Sequence, residues 1–434
     1  MDIADDILNS VTGIGSPDSD LSSEDLSRIV GSAIEPVAAA SRVLVIIPDK
    51  TRDDNTHILF PAAASVLAEK GFAKIDVLVA QGTHSPMSLS EKLAKIGADN
   101  DSISNLGDIY DHRWNDPEHL VKIGELSAAD VSGITGGLFT ESIPLLVNRL
   151  VADGGYDVII VFGATMPHEV AGFAGGSKYF FPGVAGAELT HKTHWLAALA
   201  SVENIIGRIE TPTRHLIEAA ADHITTNVVS FTSVVSRTDE DRLRTHALFA
   251  GDARLALRRA AEVSRHVHIK YTGRKYRRVV ALLDEHYEDL WVGGKASYRL
   301  GGVIEDGGEL IIYAPKLRSI SETHGADIER FGGYAPLEKV KELVNASQEL
   351  QANLCVAAHL SQVAYACRTD ETGNLESRYR ISLASQVDAE TCERVNLAFM
   401  DVNSFQLSDY QNDPDTLIVN RAGRDLYLVE PNEN

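Results

Sequence analysis

Cysteine is almost absent: three in 434 residues, at positions 355, 367 and 392, without a CxxC spacing. So few, so dispersed, build neither a disulfide framework nor a cysteine zinc cage, and they suit a reducing cytoplasm. Positive charge is short as well, with 40 Lys and Arg against 62 Asp and Glu and a formal net charge of −22. Nucleic acid and anionic membrane surfaces both require clustered cations, so neither is expected as a partner. No apolar run approaches the ~18 residues of a membrane span, and the opening MDIADDILNS lacks a basic, apolar signal region. There is no internal repeat, no GxGxxG and no P-loop. The expectation is a soluble cytoplasmic protein.

Hydrophobic residues make up 44% of the chain, enough for one large core or two moderate ones. Residues 1–40 read as a Ser- and Asp-rich loop followed by a capped helix. The short, β-branched runs 42–49, 74–82 and 156–163 alternate with helical sequence, which is the pattern of a parallel sheet. Each run breaks off into polar or glycine-bearing sequence: Asp49-Lys50-Thr51-Arg52, Gly82-Thr83-His84, and Gly163 leading to His168. Ligands collect at the carboxyl ends of parallel strands, so the three endings should share one rim. A second set of elements begins with strand-like 277–283 and 307–315 and a helix over 336–351. The expected fold is α/β: two α/β domains with parallel-type sheets, residues 1–270 and 271–434, and a cofactor cleft between them.

The chemistry concentrates in HEVAGFAGGSKYFFPGVAGAELTHKTHW, residues 168–195. Gly172, Gly175, Gly176 and Ser177 lead into Lys178, so backbone amides and an ammonium can approach one anion. It is not a P-loop, because Ser177 precedes the lysine and Tyr179 follows it. His191 and His194 are three apart on helical sequence and share a face, which admits a zinc site with His168 but equally an ordinary helix surface. His84 is a loop histidine or an acid/base group. Arg52 either clamps a carboxylate or pairs with Asp49.

These residues resemble the lactate racemase family, whose members use a nickel-pincer nucleotide. The resemblance rests on Asp49–Arg52, on Gly82-Thr83-His84-Ser85-Pro86-Met87, and on the His-x9-Lys-x15-His arrangement of His168, Lys178 and His194. It continues more weakly through Gly207–Arg214, Gly251-Asp252 and Asp289–Lys295. It implies a cofactor joined covalently through Lys178 as a thioamide, with His194 completing planar nickel coordination, a geometry suited to Ni(II) and not to tetrahedral zinc. It also implies that Asp49, Lys50, Thr51, Arg52, Gly175, Gly176 and Ser177 contact the cofactor. His84 and His168 are the implied acid/base pair, and Arg52 and Lys295 the substrate-carboxylate anchors. The implied reaction is inversion of C2 of a 2-hydroxy acid by hydride transfer coupled to proton transfer, after loading by cofactor-biosynthesis proteins.

Lactate-type members carry a glutamine three residues before the lysine; here that position is Val292, followed by Gly293 and Gly294. The exchange should enlarge the pocket, with Ser297, Tyr298 and Arg299 as candidate polar lining. A sugar (aldonic) acid such as gluconate is therefore expected ahead of malate, aromatic or short aliphatic 2-hydroxy acids. A zinc enzyme on His168, His191 and His194, and a non-catalytic cofactor-binding protein, are the competing readings.

Overall fold

Strand β2 (Val43–Pro48, VLVIIP) is buried at every position, as expected where helices cover both faces of a parallel sheet. It lies near the centre of a seven-stranded sheet. The others are β1 (Val11–Gly15), β3 (Ile75–Ala80), β4 (Leu106–Asp111), β5 (Val158–Ala164), β6 (Asn227–Arg237) and β7 (Leu243–Gly251), in the order β1-β7-β6-β5-β2-β3-β4. The stretch β6-β5-β2-β3-β4 is parallel, and β7 and β1 add an antiparallel margin. This is a computed structural model describing residues 10–38, 42–98, 103–369 and 375–431; the acidic stretch 1–9 lies outside the described residues.

The helix expected near the N-terminus is α1 (Ser23–Ile34), closed by a capping box between Ser22 and Asp25. Its Leu26, Ile29, Val30 and Ala33 recur at helical spacing and are buried against α2 (Thr56–Glu69). Helix α3 (Leu89–Ile96) follows β3 and is likewise boxed, by Ser88 and Glu91.

The chain divides into two compact units: Met1–Thr193 with Ile209–Val267, and His194–Arg208 with His268–Asn434. A single division at 270 thus omits one excursion, the segment 194–208, which groups with the second unit. That unit holds a wholly parallel sheet of β8 (Tyr276–Leu282), β9 (Ile304–Ala314), β10 (Arg380–Ser385), β11 (Ala398–Asp401) and β12 (Thr416–Val419), ordered β11-β10-β9-β8-β12. The helix expected over 336–351 is two helices, Leu337–Ala346 and Gln348–Ala352. Ser347 breaks it, its side chain accepting the Leu350 N–H as a new N-cap.

Candidate active site

In the first unit β3 and β4 extend the sheet on one side of β2 while β5 lies on the other. The strand order reverses between β2 and β5, where an open parallel sheet offers its ligand crevice. Pro48 is paired with Ala80, so the residues after β2 and β3 emerge side by side on one rim. The structure brings Asp49, Thr51 and His84 into contact there. Asp49, buried to 4% exposure, accepts the Thr51 N–H (2.8 Å) and hydroxyl (2.5 Å) on Oδ1, and His84 Nδ1 (2.6 Å) on Oδ2. Burial raises the Asp49 carboxyl, but hydrogen bonds from His84 and Thr51 and the charges of His84 and Arg52 outweigh it and hold it well below the usual carboxylate range. A carboxylate only accepts, so His84 carries its proton on Nδ1 and presents Nε2 as a base.

His168, after β5, has the opposite arrangement. It is 5% exposed, and its Nδ1 accepts the N–H of Val170 at 3.1 Å and of Ala171 at 3.4 Å. The Glu169 carboxylate stands 3.7 Å from the same nitrogen, too far to hydrogen-bond, so the amides decide the tautomer. Neutral His168 therefore holds its proton on Nε2 and presents a donor.

Lys178 sits in a single 3-10 turn, Gly176–Tyr179, entered through Gly175 (φ +98°) and Gly176 (φ +60°), conformations an L side chain rarely adopts. Tyr179 fills the space a Cβ on Gly163 would need, and its hydroxyl accepts the Ala164 N–H at 3.3 Å, pinning the turn to the end of β5. Burial, then the Arg52 guanidinium, opposed by Glu169, and then Arg214 bring the Lys178 amine down to about 7. Arg52 itself makes no guanidinium hydrogen bond or ion pair among the described residues. Lys50 bridges to Glu91 at 2.6 Å on an exposed surface.

Arg214, on helix α5 (Pro212–Ala221), is 1% exposed. Its guanidinium donates to the carbonyls of Ala171 (3.1 Å), Gly175 (3.4 Å) and Phe173, the loop that joins His168 to Lys178. Sequence reasoning missed this role. Its one visible signal is an arginine flanked by the apolar side of a capped helix, where a charge needs partners.

In the second unit, His194 lies on α4 (Ala187–Leu199), whose earlier residues group with the first unit. It acts on the charge of the buried His359, which burial, His324 and His194 together drive down to about 3. Lys295 opens the short helix α6 (Lys295–Leu300) beside the second sheet's own reversal, between β8 and β12. Gly423 (φ +93°) follows β12, and a Cβ there would stand 2.6 Å from the Tyr287 hydroxyl and 3.5 Å from Lys295 Cβ. The glycines before Lys295 do not open space. A Cβ on Gly293 would meet Leu283 and Leu317 at 3.2 Å, and one on Gly294 would meet Val363 at 2.8 Å, on helix α7 (Leu354–Ala364). They admit close packing instead. Ser297 and Arg299 are likewise committed inside this unit, Ser297 Oγ to the Val363 carbonyl at 2.6 Å and Arg299 to the Arg424 carbonyl at 2.6 Å. Val292 is exposed, its N–H capped by Asp289.

Among the described residues no group of three or more His, Cys, Asp or Glu side chains is placed to hold a metal ion. A zinc cage of protein ligands thus finds no support, whereas a group bringing its own donors asks the chain for less. A near-neutral amine behind a glycine turn, with an arginine to spare, fits such a group.

Residues 23–207 match the family described as the lactate racemase N-terminal domain. A crystal structure of a protein from Thermotoga maritima, 31% identical, superposes with a TM-score of 0.85 over 95% of this chain and 99% of that one. The chain belongs to the lactate racemase family. The lactate racemase of Lactiplantibacillus plantarum is 32% identical over 174 residues, 39% of this chain and 37% of that protein. That of Thermoanaerobacterium thermosaccharolyticum is 27% identical over 194 residues, 43% of this chain and 41% of that protein. The aligned stretches thus span well under half of these curated relatives. The lactate racemase apoprotein structure from the latter organism shares the fold, with a TM-score of 0.71 at 18% identity over 95% of this chain and 94% of that one. Among the described residues no helix is long and apolar enough to cross a membrane.

Proposed function

We propose that this chain is a racemase or epimerase inverting C2 of a 2-hydroxy acid, using a nickel-pincer nucleotide joined through Lys178, with His194 as its protein ligand to nickel. The observation that carries it is the pair of histidines on one rim holding opposite tautomers, beside an amine that is nucleophilic at neutral pH. When bound, the nucleotide supplies a carbon that exchanges hydride with C2. His84 Nε2 takes the hydroxyl proton of one stereoisomer, and the buried Asp49 carboxylate stabilises the imidazolium that results. The planar 2-keto acid receives its proton back from His168 Nε2–H, and the reverse reaction exchanges the roles. Arg52 and Lys295 hold the substrate carboxylate. Gly175, Gly176 and Ser177 supply main-chain N–H groups to the nucleotide, which cofactor-biosynthesis proteins deliver in a reducing cytoplasm.

The favoured substrate is an aldonic acid such as gluconate, ahead of malate, aromatic or short aliphatic 2-hydroxy acids, since Val292 offers no amide to a compact acid. Intact-mass and peptide mass spectrometry of holoprotein, with a stereochemical screen of 2-hydroxy acids, tests this reading. The expected result is a mass increment on the Lys178 peptide and C2 inversion with return of the same hydrogen. An increment on Lys192, or exchange of the C2 hydrogen with solvent at every turnover, overturns it.

A further inference from the structure

Beside Arg52 the first unit carries an open cavity of about 310 Å³. Its charged wall is Lys50, Arg52, Asp53, Asp54, Lys95 and Arg237, with His57, Ala94 and Leu243 between them. Lys95 bonds Asp54 at 2.5 Å and the Arg52 carbonyl at 2.9 Å, and Arg237 bonds Asp53 at 2.8 Å. Burial, opposed by Asp54, and then Lys95 and Arg237 lower the His57 imidazole, which keeps it neutral.

We propose that this cavity is the subsite for the hydroxyl-bearing tail of the substrate, with Arg52 at its mouth taking the carboxylate; it rests on the reading of a 2-hydroxy acid enzyme. A second anion would need an uncommitted cation besides Arg52, but Lys50, Lys95 and Arg237 are already paired with Glu91, Asp54 and Asp53. A hydrocarbon tail would strip water from paired charges and return nothing. The paired side chains of this wall present donors and acceptors together, which matches a row of hydroxyls, each both donor and acceptor.

The test titrates holoprotein with D-gluconate, L-malate and L-lactate by calorimetry, in wild type, Ala94→Phe, which fills the cavity, and Asp53→Asn, which keeps its shape. Thermal melts confirm that each variant is folded. Gluconate should bind wild type at least tenfold more tightly than lactate or malate, and either folded variant should lose tenfold for gluconate while lactate is unmoved. Equal gluconate affinity in both variants, or malate as the tightest ligand, overturns the subsite. Epimerisation, followed separately at C2 by NMR, keeps the two claims apart. Cavity-dependent binding without inversion would sink the reaction alone, and inversion indifferent to both variants would sink the subsite alone.

Discussion

His84 Nδ1 lies 2.6 Å from Asp49 Oδ2, on a carboxylate whose other oxygen is closed by Thr51. The imidazole is thereby fixed in ring orientation and in tautomer. Asp49→Asn retains an acceptor but loses the charge that balances the imidazolium. Inversion measured from either stereoisomer should fall by about 10²–10⁴-fold, the usual range of a general acid/base contribution. Loss from one stereoisomer only would show that Asp49 does not serve the shared step.

His84→Ala and His168→Ala should each cripple both directions, because each histidine serves one direction as base and the other as acid. The drop expected is again about 10²–10⁴-fold, read as initial rates from each pure stereoisomer. Wild-type turnover in either variant removes that residue from the mechanism.

The Lys178 amine, brought to about 7 from an ordinary 10.5, is charged below that pH and free above it. Acylation of apoprotein by a small amine-directed reagent, read by peptide mass, should rise at Lys178 through pH 7 and level off. Exposed lysines should still be gaining reactivity near pH 10. Protonating the amine inside the fold is unfavourable, so its effect on stability runs the same way: a cost below pH 7, relieved as pH rises towards the unfolded value. A Lys178 profile indistinguishable from the surface lysines would remove the argument for capture at neutral pH.

Arg214→Met should take the guanidinium from three loop carbonyls, of which those of Ala171 and Gly175 still accept the N–H of Phe173 and Lys178. At about 1 kcal/mol or more for each abandoned buried group, the melting temperature should fall by several degrees, and the amount of cofactor on Lys178 should fall with it. Arg214→Lys should recover less than half of either loss, since one ammonium cannot span the three acceptors. Full cofactor loading in the methionine variant would reduce Arg214 to a filler of space.

His194→Ala should lower nickel retained per mole of protein while leaving the organic adduct on Lys178, read by metal analysis beside intact mass. Unchanged nickel in that variant would assign the fourth position to another ligand.

The strand ends were legible because a strand buried on both faces is an unbroken apolar run, and VLVIIP gives way at once to Asp49. Hydrophobicity marks both where the strand stops and where the rim begins. Arg214 was not legible, because one arginine in PTRHLIEAAA looks like any solvated helix residue until the loop beneath it is seen. Gly293 and Gly294 misled for a related reason. Sequence shows that a side chain is missing, and only packing shows that Leu317 and Val363 have taken its place.

Arg214 reaches the 171–175 loop only through main-chain carbonyls. That clamp grips the loop's main chain, so beyond the glycines at 172 and 175 and the buried Phe173 it asks little of the loop's own side chains. On the proposed reading, substrate choice lies in the wall beyond Arg52, apart from the backbone clamp that holds the loop between His168 and Lys178.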